Sequence, residues 1–314
     1  MTKILITGAG GFVGTHLIRT LKSSGEAEIF AAVYKATSDI SSLIPTDHII
    51  AGDLTDFAYA QKLIELTTPD VIYHLAALSV VHSSMSQATT VMNGNTTISY
   101  NILEAVRQGA PKARVVAISS GNVYGAVQDT SHPLDEKTPL RPLNPYAVSK
   151  VTQEMLALQY YLAYSLDVVI LRPFNHTGIG QTTDFVIPKL AKQFVDIEKG
   201  VISPVIEVGN LDTIRDFTDV SDMVKAYILA ADKGLSGEIY NIGSGTGHAI
   251  SEILEVLQSL TSAKVEIKVK DDLVRTADVP VLVADASKFR KATSWEPKIP
   301  LSKTILDILE SFRE

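Results

Sequence analysis

Cysteine is absent from the 314 residues. That absence removes disulfides, thiol nucleophiles and thiolate metal sites; it fits a reducing cytoplasm, and no metal is expected. Long apolar runs are missing too. Nothing approaches the roughly 20 residues that span a bilayer, and the chain enters a β-branched run at Lys3 with no signal-peptide pattern before it. Positive charge is in the minority, with 28 Lys and Arg against 35 Asp and Glu, a net −7. Such a balance argues against nucleic acid or an anionic membrane as the main partner. The expectation is a soluble cytoplasmic protein long enough for one and a half or two domains and a large core.

What is present is a rhythm. Short apolar runs at Lys3–Thr7, Ile29–Tyr34, His48–Ala51, Val71–Leu75, Val115–Ser119 and Val168–Leu171 alternate with helical patterns, including Thr96–Gln108 and Ala147–Tyr164. Strands that are almost wholly apolar and separated by helices predict a doubly wound, Rossmann-type parallel α/β sheet covered on both faces. After Arg172 the rhythm changes. A loop rich in Gly, Thr and Pro leads to a helix near 185–199 and a strand near 204–208, followed by a strand–helix pair over 216–233. That pair and a strand at 238–242 read as a return to the sheet, and one more strand is expected at 265–269. The predicted division is a dinucleotide domain, 1–171 plus about 216–243, and a smaller α/β substrate lobe, about 172–215 plus 244–314.

Between the first strand and first helix, Gly8-Ala9-Gly10-Gly11-Phe12-Val13-Gly14 spaces glycines as GxxGxxG. Gly8 permits a sharp turn, Gly11 lets backbone approach a pyrophosphate, and Gly14 allows close helix–strand packing. The helix start at Phe12 and Val13 offers N–H groups and a positive dipole. The second strand lacks the usual terminal acid on an adenosine ribose; Lys35, Thr37 and Ser38 stand there instead and suit a 2′-phosphate. NADP(H) is therefore favoured, with NAD(H) as the alternative. Asp53-Leu54 follows the third strand, where Asp53 either touches adenine or is a solvated loop acid.

Ser119-Ser120 ends the fifth strand, and serines there often polarise a carbonyl. Tyr146 and Lys150 lie four apart at a helix start, announced by Asn144-Pro145. An ammonium near a phenol lowers the phenol's pKa from about 10, so such a tyrosine can exchange a proton with a ketone or alcohol as hydride moves. TGAGGFVG, GDL at 52–54, HLAA at 74–77, SSGNVYG at 119–125, YAVSK at 146–150 and RPFNHTG at 172–178 occur in one order. In that order they resemble the extended short-chain dehydrogenases/reductases that modify nucleotide sugars, across essentially the whole chain. The resemblance implies Ser120 as the catalytic Ser/Thr, Tyr146 as acid/base and Lys150 on the nicotinamide ribose. It also implies cofactor contacts from Leu75, Ala76 and Ala77, and a structural Asn95 heading a helix from Thr96.

Further stretches, RPFNHTG, FVIPK at 185–189, VGNL at 208–211, IRDFTDV at 214–220 and RTAD at 275–278, resemble the branch that processes GDP-mannose. Substrate contacts are accordingly expected from Asn175, Lys189, Val208, Arg215 and Arg275, with Asn122 beside Ser120. Each of the cations is as readily a surface or salt-bridged residue. Asp278 bonds a ribose or pairs with Arg275; Ser79 and Ser84 touch the hexose or cap a helix. In the resembled dehydratases an acidic pair follows the Ser/Thr to eliminate water, whereas this chain has Gly121-Asn122, neither able to act as acid or base. The resemblance thus implies a reductase of the C4 ketone of GDP-4-dehydro-6-deoxy-D-mannose. A 4-epimerase or 4,6-dehydratase with retained NAD is the alternative, and an idle NAD(P)-binding regulator a more distant one. The resemblance further implies a homodimer through the 96–108 and 147–164 helices, although apolar positions on the second could equally face their own sheet.

Overall fold

The computed structural model describes residues 1–25, 27–34, 40–79, 87–270, 273 and 279–314. Along the first half run β1 (Thr2–Thr7), α1 (Phe12–Ser24), β2 (Ala27–Val33), β3 (Ile49–Ala51), α2 (Phe57–Thr67), β4 (Val71–His74), α3 (Ala88–Gly109), β5 (Arg114–Ile118), α4 (Pro145–Tyr164) and β6 (Val168–Pro173). The second half adds β7 (Asn175–Thr177), α5 (Val186–Glu198), β8 (Val205–Val208), β9 (Ile214–Asp219), α6 (Val220–Lys233), β10 (Ile239–Ile242), β11 (Gly247–Ala249), α7 (Ile250–Ser259), β12 (Glu266–Val269), β13 (Val281–Leu282), α8 (Ser287–Thr293) and α9 (Leu301–Arg313).

Seven of the described strands form one sheet in the order β10-β6-β5-β4-β1-β2-β3, every pair parallel. Successive side chains of one strand feed opposite cores. Ile4 and Ile6 join α1 and α6 on one face, while Leu5 joins α2, α3 and α4 on the other. Val116 and Ile118 divide from Val115 and Ala117 in the same way. Apolar residues at every position are what a sheet buried on both faces demands, so the expected Rossmann-type class holds.

Departures from the sequence reading lie mostly in the second half. β9 does not return to the large sheet; it pairs with β7, β11 and β13 in a small separate one. Only the following helix, α6, packs on the large sheet, through Val220, Met223, Val224 and Tyr227, and β10 is the strand that extends that sheet beside β6. A third core gathers α5, α7 and α9 around β8 and Phe217. Helix α3 begins at Ala88, so Asn95 lies inside it rather than at its head. Threonines and Gly94 weaken local helix propensity before Asn95, and packing against α4 and α2 overrides it.

Candidate active site

The carboxyl ends of β1, β2, β3 and β4 meet along one edge of the sheet, the usual ligand crevice of an open parallel sheet. Gly8 turns the chain there with φ +69, and a Cβ on it would lie 2.9 Å from the Ala76 backbone nitrogen. A Cβ on Gly14 would come within 2.6 Å of the Ala9 carbonyl. Gly11 is the N-cap of α1 and supplies no side-chain cap. The amides opening at Phe12 and Val13 therefore have no protein side chain capping them, and they suit a pyrophosphate. The loop is underpinned by Thr7, whose hydroxyl meets His74 Nδ1 at 2.9 Å and accepts from Ala76 N at 3.2 Å, while Leu75 N donates to the Thr7 carbonyl. Ala76 and Ala77 are half-buried beside it.

Asp53 is exposed at the end of β3, and one carboxylate oxygen accepts from both Thr55 N and Thr55 Oγ1. It thus shapes the turn that buries Leu54, whose carbonyl accepts from Asn101. Lys35, Thr37 and Ser38, on which the phosphate preference was read, lie outside the described residues.

Asn144 caps α4 by accepting from Ala147 N at 2.8 Å, with Pro145 at the first helical position. The cap aims Tyr146 and Lys150, on one helix face, at the end of β5; they are 8% and 3% exposed. Ser120 N-caps a 3-10 turn over Gly121–Tyr124, and its Oγ accepts from Asn122 N at 3.2 Å. Its hydroxyl lies close enough to the Tyr146 phenol to favour the ionised form. Lys150 Nζ stands 5.9 Å from the Tyr146 ring centroid and donates to Ile118 O at 2.7 Å and Gln153 Oε1 at 2.8 Å.

The structure thus brings Ser120, Tyr146 and Lys150 together, but the electrostatics differ from the sequence expectation. Burial pushes the Tyr146 phenol up to about 12, with the Ser120 hydroxyl pulling against it. Burial likewise brings Lys150 down to about 7, opposed by the charge of Glu154. Desolvation penalises whichever form is charged, and here it outweighs the lysine–phenol attraction that would lower the tyrosine.

Two supports hold the site from behind: Asn95, expected as a structural residue though not with these partners, and Glu154, which the sequence reading missed. Asn95 Oδ1 accepts from Leu78 N at 2.8 Å, and its Nδ2 donates to Ser149 Oγ at 2.9 Å, tying the loop after β4 to the Tyr146 helix. Glu154, wholly buried, binds Ser119 and Arg172; its signal was an acid one turn beyond Lys150 on an otherwise core-facing stripe.

The residues expected on substrate are dispersed over the second half and the neighbouring loops. Asn175 is half-buried on β7, Val208 buried at the end of β8, and Lys189 exposed on α5. Arg215 Nη1 donates to Ile214 O at 2.9 Å. Its neighbour Asp216 is the buried anchor of that stretch, accepting from Ser244 N, Gly245 N and Ala284 N. Burial raises the Asp216 carboxyl against those bonds. Ser79 is exposed after β4; Ser84, Arg275 and Asp278 lie outside the described residues. A cavity of about 470 Å³ is lined by Phe217, Thr218, His248, Glu252, Lys298 and Leu301 among others; Ser120 and Tyr146 do not line it.

Comparison with known proteins returns one consistent group. The family model described as GDP-mannose 4,6 dehydratase matches residues 5–308. GDP-6-deoxy-D-mannose reductase of Pseudomonas aeruginosa is 30% identical, covering 99% of this chain and 97% of that protein. GDP-6-deoxy-D-talose 4-dehydrogenase of Aggregatibacter actinomycetemcomitans is 32% identical over 97% and 96%. Among solved structures, RMD from Pseudomonas aeruginosa complexed with NADPH superposes with a TM-score of 0.88 at 30% identity, covering 99% of each chain. UDP-glucose 4-epimerases and a dTDP-D-glucose 4,6-dehydratase at 28% identity are also similar.

Proposed function

This chain belongs to the GDP-mannose 4,6 dehydratase family of nucleotide-sugar enzymes that use NAD(P), and on that premise we propose that it is a 4-ketone reductase. Its substrate in this reading is GDP-4-dehydro-6-deoxy-D-mannose and its product GDP-D-rhamnose. The observation that carries the reading is the turn after β5, where Ser120 stands beside Tyr146 and Lys150 but is followed by Gly121 and Asn122. In this reading Ser120 at the turn is the carbonyl polariser and Tyr146 on α4 the proton donor, and neither residue after Ser120 is an acid able to abstract the C5 proton for elimination.

When bound, NAD(P)H supplies hydride to C4. The Gly8–Gly14 loop and the open start of α1 hold the diphosphate. Ser120 Oγ donates a hydrogen bond to the sugar ketone, and Tyr146, a neutral phenol at working pH, gives its proton to O4 as the alkoxide forms. Lys150 orients the nicotinamide ribose, and as an ammonium it stabilises the phenolate left on Tyr146. NADP(H) is the proposed donor, with NAD(H) the alternative. Asn122, Asn175, Lys189, Val208, Arg215, Arg275, Asp278, Ser79 and Ser84 are the proposed substrate contacts. We also read a homodimer through α3 and α4, supported by Tyr100 at 47%, Met155 at 46% and Leu162 at 70% exposure.

The test supplies the 4-keto sugar nucleotide with NADPH and then NADH, following absorbance loss and the product's C4 configuration. Consumption of cofactor with formation of the rhamno product is expected; no consumption of either cofactor overturns the reading. 6-Deoxy-D-mannose and 6-deoxy-D-talose differ only at C4, so the configuration also separates the activities in the two relatives' names. Tightly retained NAD with C4 equilibration and no net oxidation would identify a 4-epimerase instead.

A further inference from the structure

Glu154 lies one helical turn beyond Lys150 on α4 and is 0% exposed. Its Oε1 accepts from Ser119 Oγ at 2.5 Å and Arg172 Nε at 2.9 Å, and its Oε2 from Arg172 Nη2 at 2.7 Å. The chain of bonds continues outward. Arg172 Nη1 donates to Tyr124 Oη at 3.0 Å, and Tyr124 Oη donates to Asn241 Oδ1 at 2.7 Å. Asn241 N in turn donates to Glu136 Oε1 at 2.8 Å. The network joins β5, the turn after it, α4, β6 and β10.

Buried ion pairs add little net stability over a well-packed apolar pair, because desolvation cancels most of the attraction. A purely structural need at this position would be met by hydrophobic side chains, so its placement calls for another account. Ser119 is bonded directly to Glu154 and precedes Ser120; Lys150 is four residues away on the same helix. We propose that Glu154 is a positioning residue for the Ser120–Tyr146–Lys150 site: through Ser119 it fixes the strand end that carries Ser120, and from one helical turn away it supplies the buried negative charge that favours the Lys150 ammonium. This rests on the catalytic roles proposed above.

The other groups around Lys150 do not supply that charge. Among the described residues, Tyr146 on the same helix is held neutral by burial. His74 on β4, which also feels Lys150, is driven down to about 3 by burial and is neutral. Arg172 on β6 is spent on Glu154 and Tyr124. Tyr227, which faces Tyr146 from α6, is raised by burial and also neutral. Ile118 O and Gln153 Oε1 are uncharged acceptors. Removing the Glu154 charge therefore lets Lys150 lose its proton at lower pH.

The experiment uses the full chain with 15N-labelled lysine, the Lys150 side-chain signal being assigned by its loss in Lys150→Met. In Glu154→Gln the Lys150 titration midpoint is expected to fall by about one pH unit; an unchanged midpoint overturns the proposal. In Ser119→Ala, which keeps every charge, the midpoint is expected to stay put while kcat with the 4-keto sugar nucleotide drops about tenfold and the NADPH Kd is retained. Wild-type kcat in that variant overturns the positioning role, and it remains decisive where Glu154→Gln does not fold. The titration needs no substrate. A wild-type chain that turns over no 4-keto sugar would sink the reductase reading, and the Lys150 midpoint would still decide the role of Glu154.

Discussion

At Gly121 there is little room for any side chain: an added Cβ would lie 3.0 Å from the Phe174 ring. The double variant Gly121→Asp, Asn122→Glu is therefore expected to remain without lyase activity, because the new carboxylate must displace Phe174 at a cost of about 1–3 kcal/mol. Formation of a dehydrated product from a GDP-hexose would show that the acidic pair alone suffices. Tyr146→Phe removes only the phenol hydroxyl beside Ser120. It should retain NADPH affinity within about twofold while kcat falls by about 10²- to 10⁴-fold, measured under saturating substrate. His74 makes a prediction about stability rather than turnover. Burial brings its pKa from 6.5 down to about 3, so the unfolded chain binds a proton in that window and the folded one does not. The stabilisation is complete above pH 6.5 and is lost as pH falls towards 3. His74→Asn should flatten that part of the denaturation-midpoint-against-pH curve; an unaltered slope counts against a neutral buried imidazole.

Among the elements, α4 carries the most varied duties. Its buried face holds Tyr146, Lys150 and Glu154, while Val148, Met155 and Leu162 are 37%, 46% and 70% exposed at intervals of seven. Sevenfold spacing lays them along one outer stripe, and Tyr100 of the adjoining α3 is exposed as well. The variant Met155→Glu, Leu162→Glu is expected to sediment as a monomer with its fold intact by circular dichroism; wild-type sedimentation at the same concentration would remove this face from the proposed dimer. The sequence showed the long, strongly patterned elements, because continuous apolar runs such as Val115–Ile118 and the Asn144-Pro145 helix entry are local signals. It did not show β7, β11 or β13, strands of two or three residues whose pairing is dictated by β9 and not by their own composition. The same contrast holds at the site. Tyr146, Lys150 and the glycines announce themselves by spacing, whereas the Glu154–Arg172 pair and the Asn95 tether depend on which segments meet in space.

For the whole molecule, binding to the native state alone raises apparent stability with the logarithm of affinity, by about 2.7 kcal/mol at a hundredfold excess over Kd. NADPH is accordingly expected to raise the melting temperature more than NADH at equal concentration, and the reverse order would assign the adenosine pocket to NAD(H). This measurement needs no sugar, so it tests the cofactor reading separately from the reaction.

The junction at Asp219 and Val220 has its own consequence for engineering. The last residue of a small-sheet strand is followed at once by the first residue of a helix that covers the large sheet, and the chain then supplies β10 before leaving again. The large sheet and the small one are interleaved along the chain rather than built from consecutive stretches. A chimera that grafts everything after β6 from a relative would also replace an edge strand and a covering layer of the large sheet. A workable exchange must import two separate pieces and leave the stretch from Val220 to Ile242 native between them.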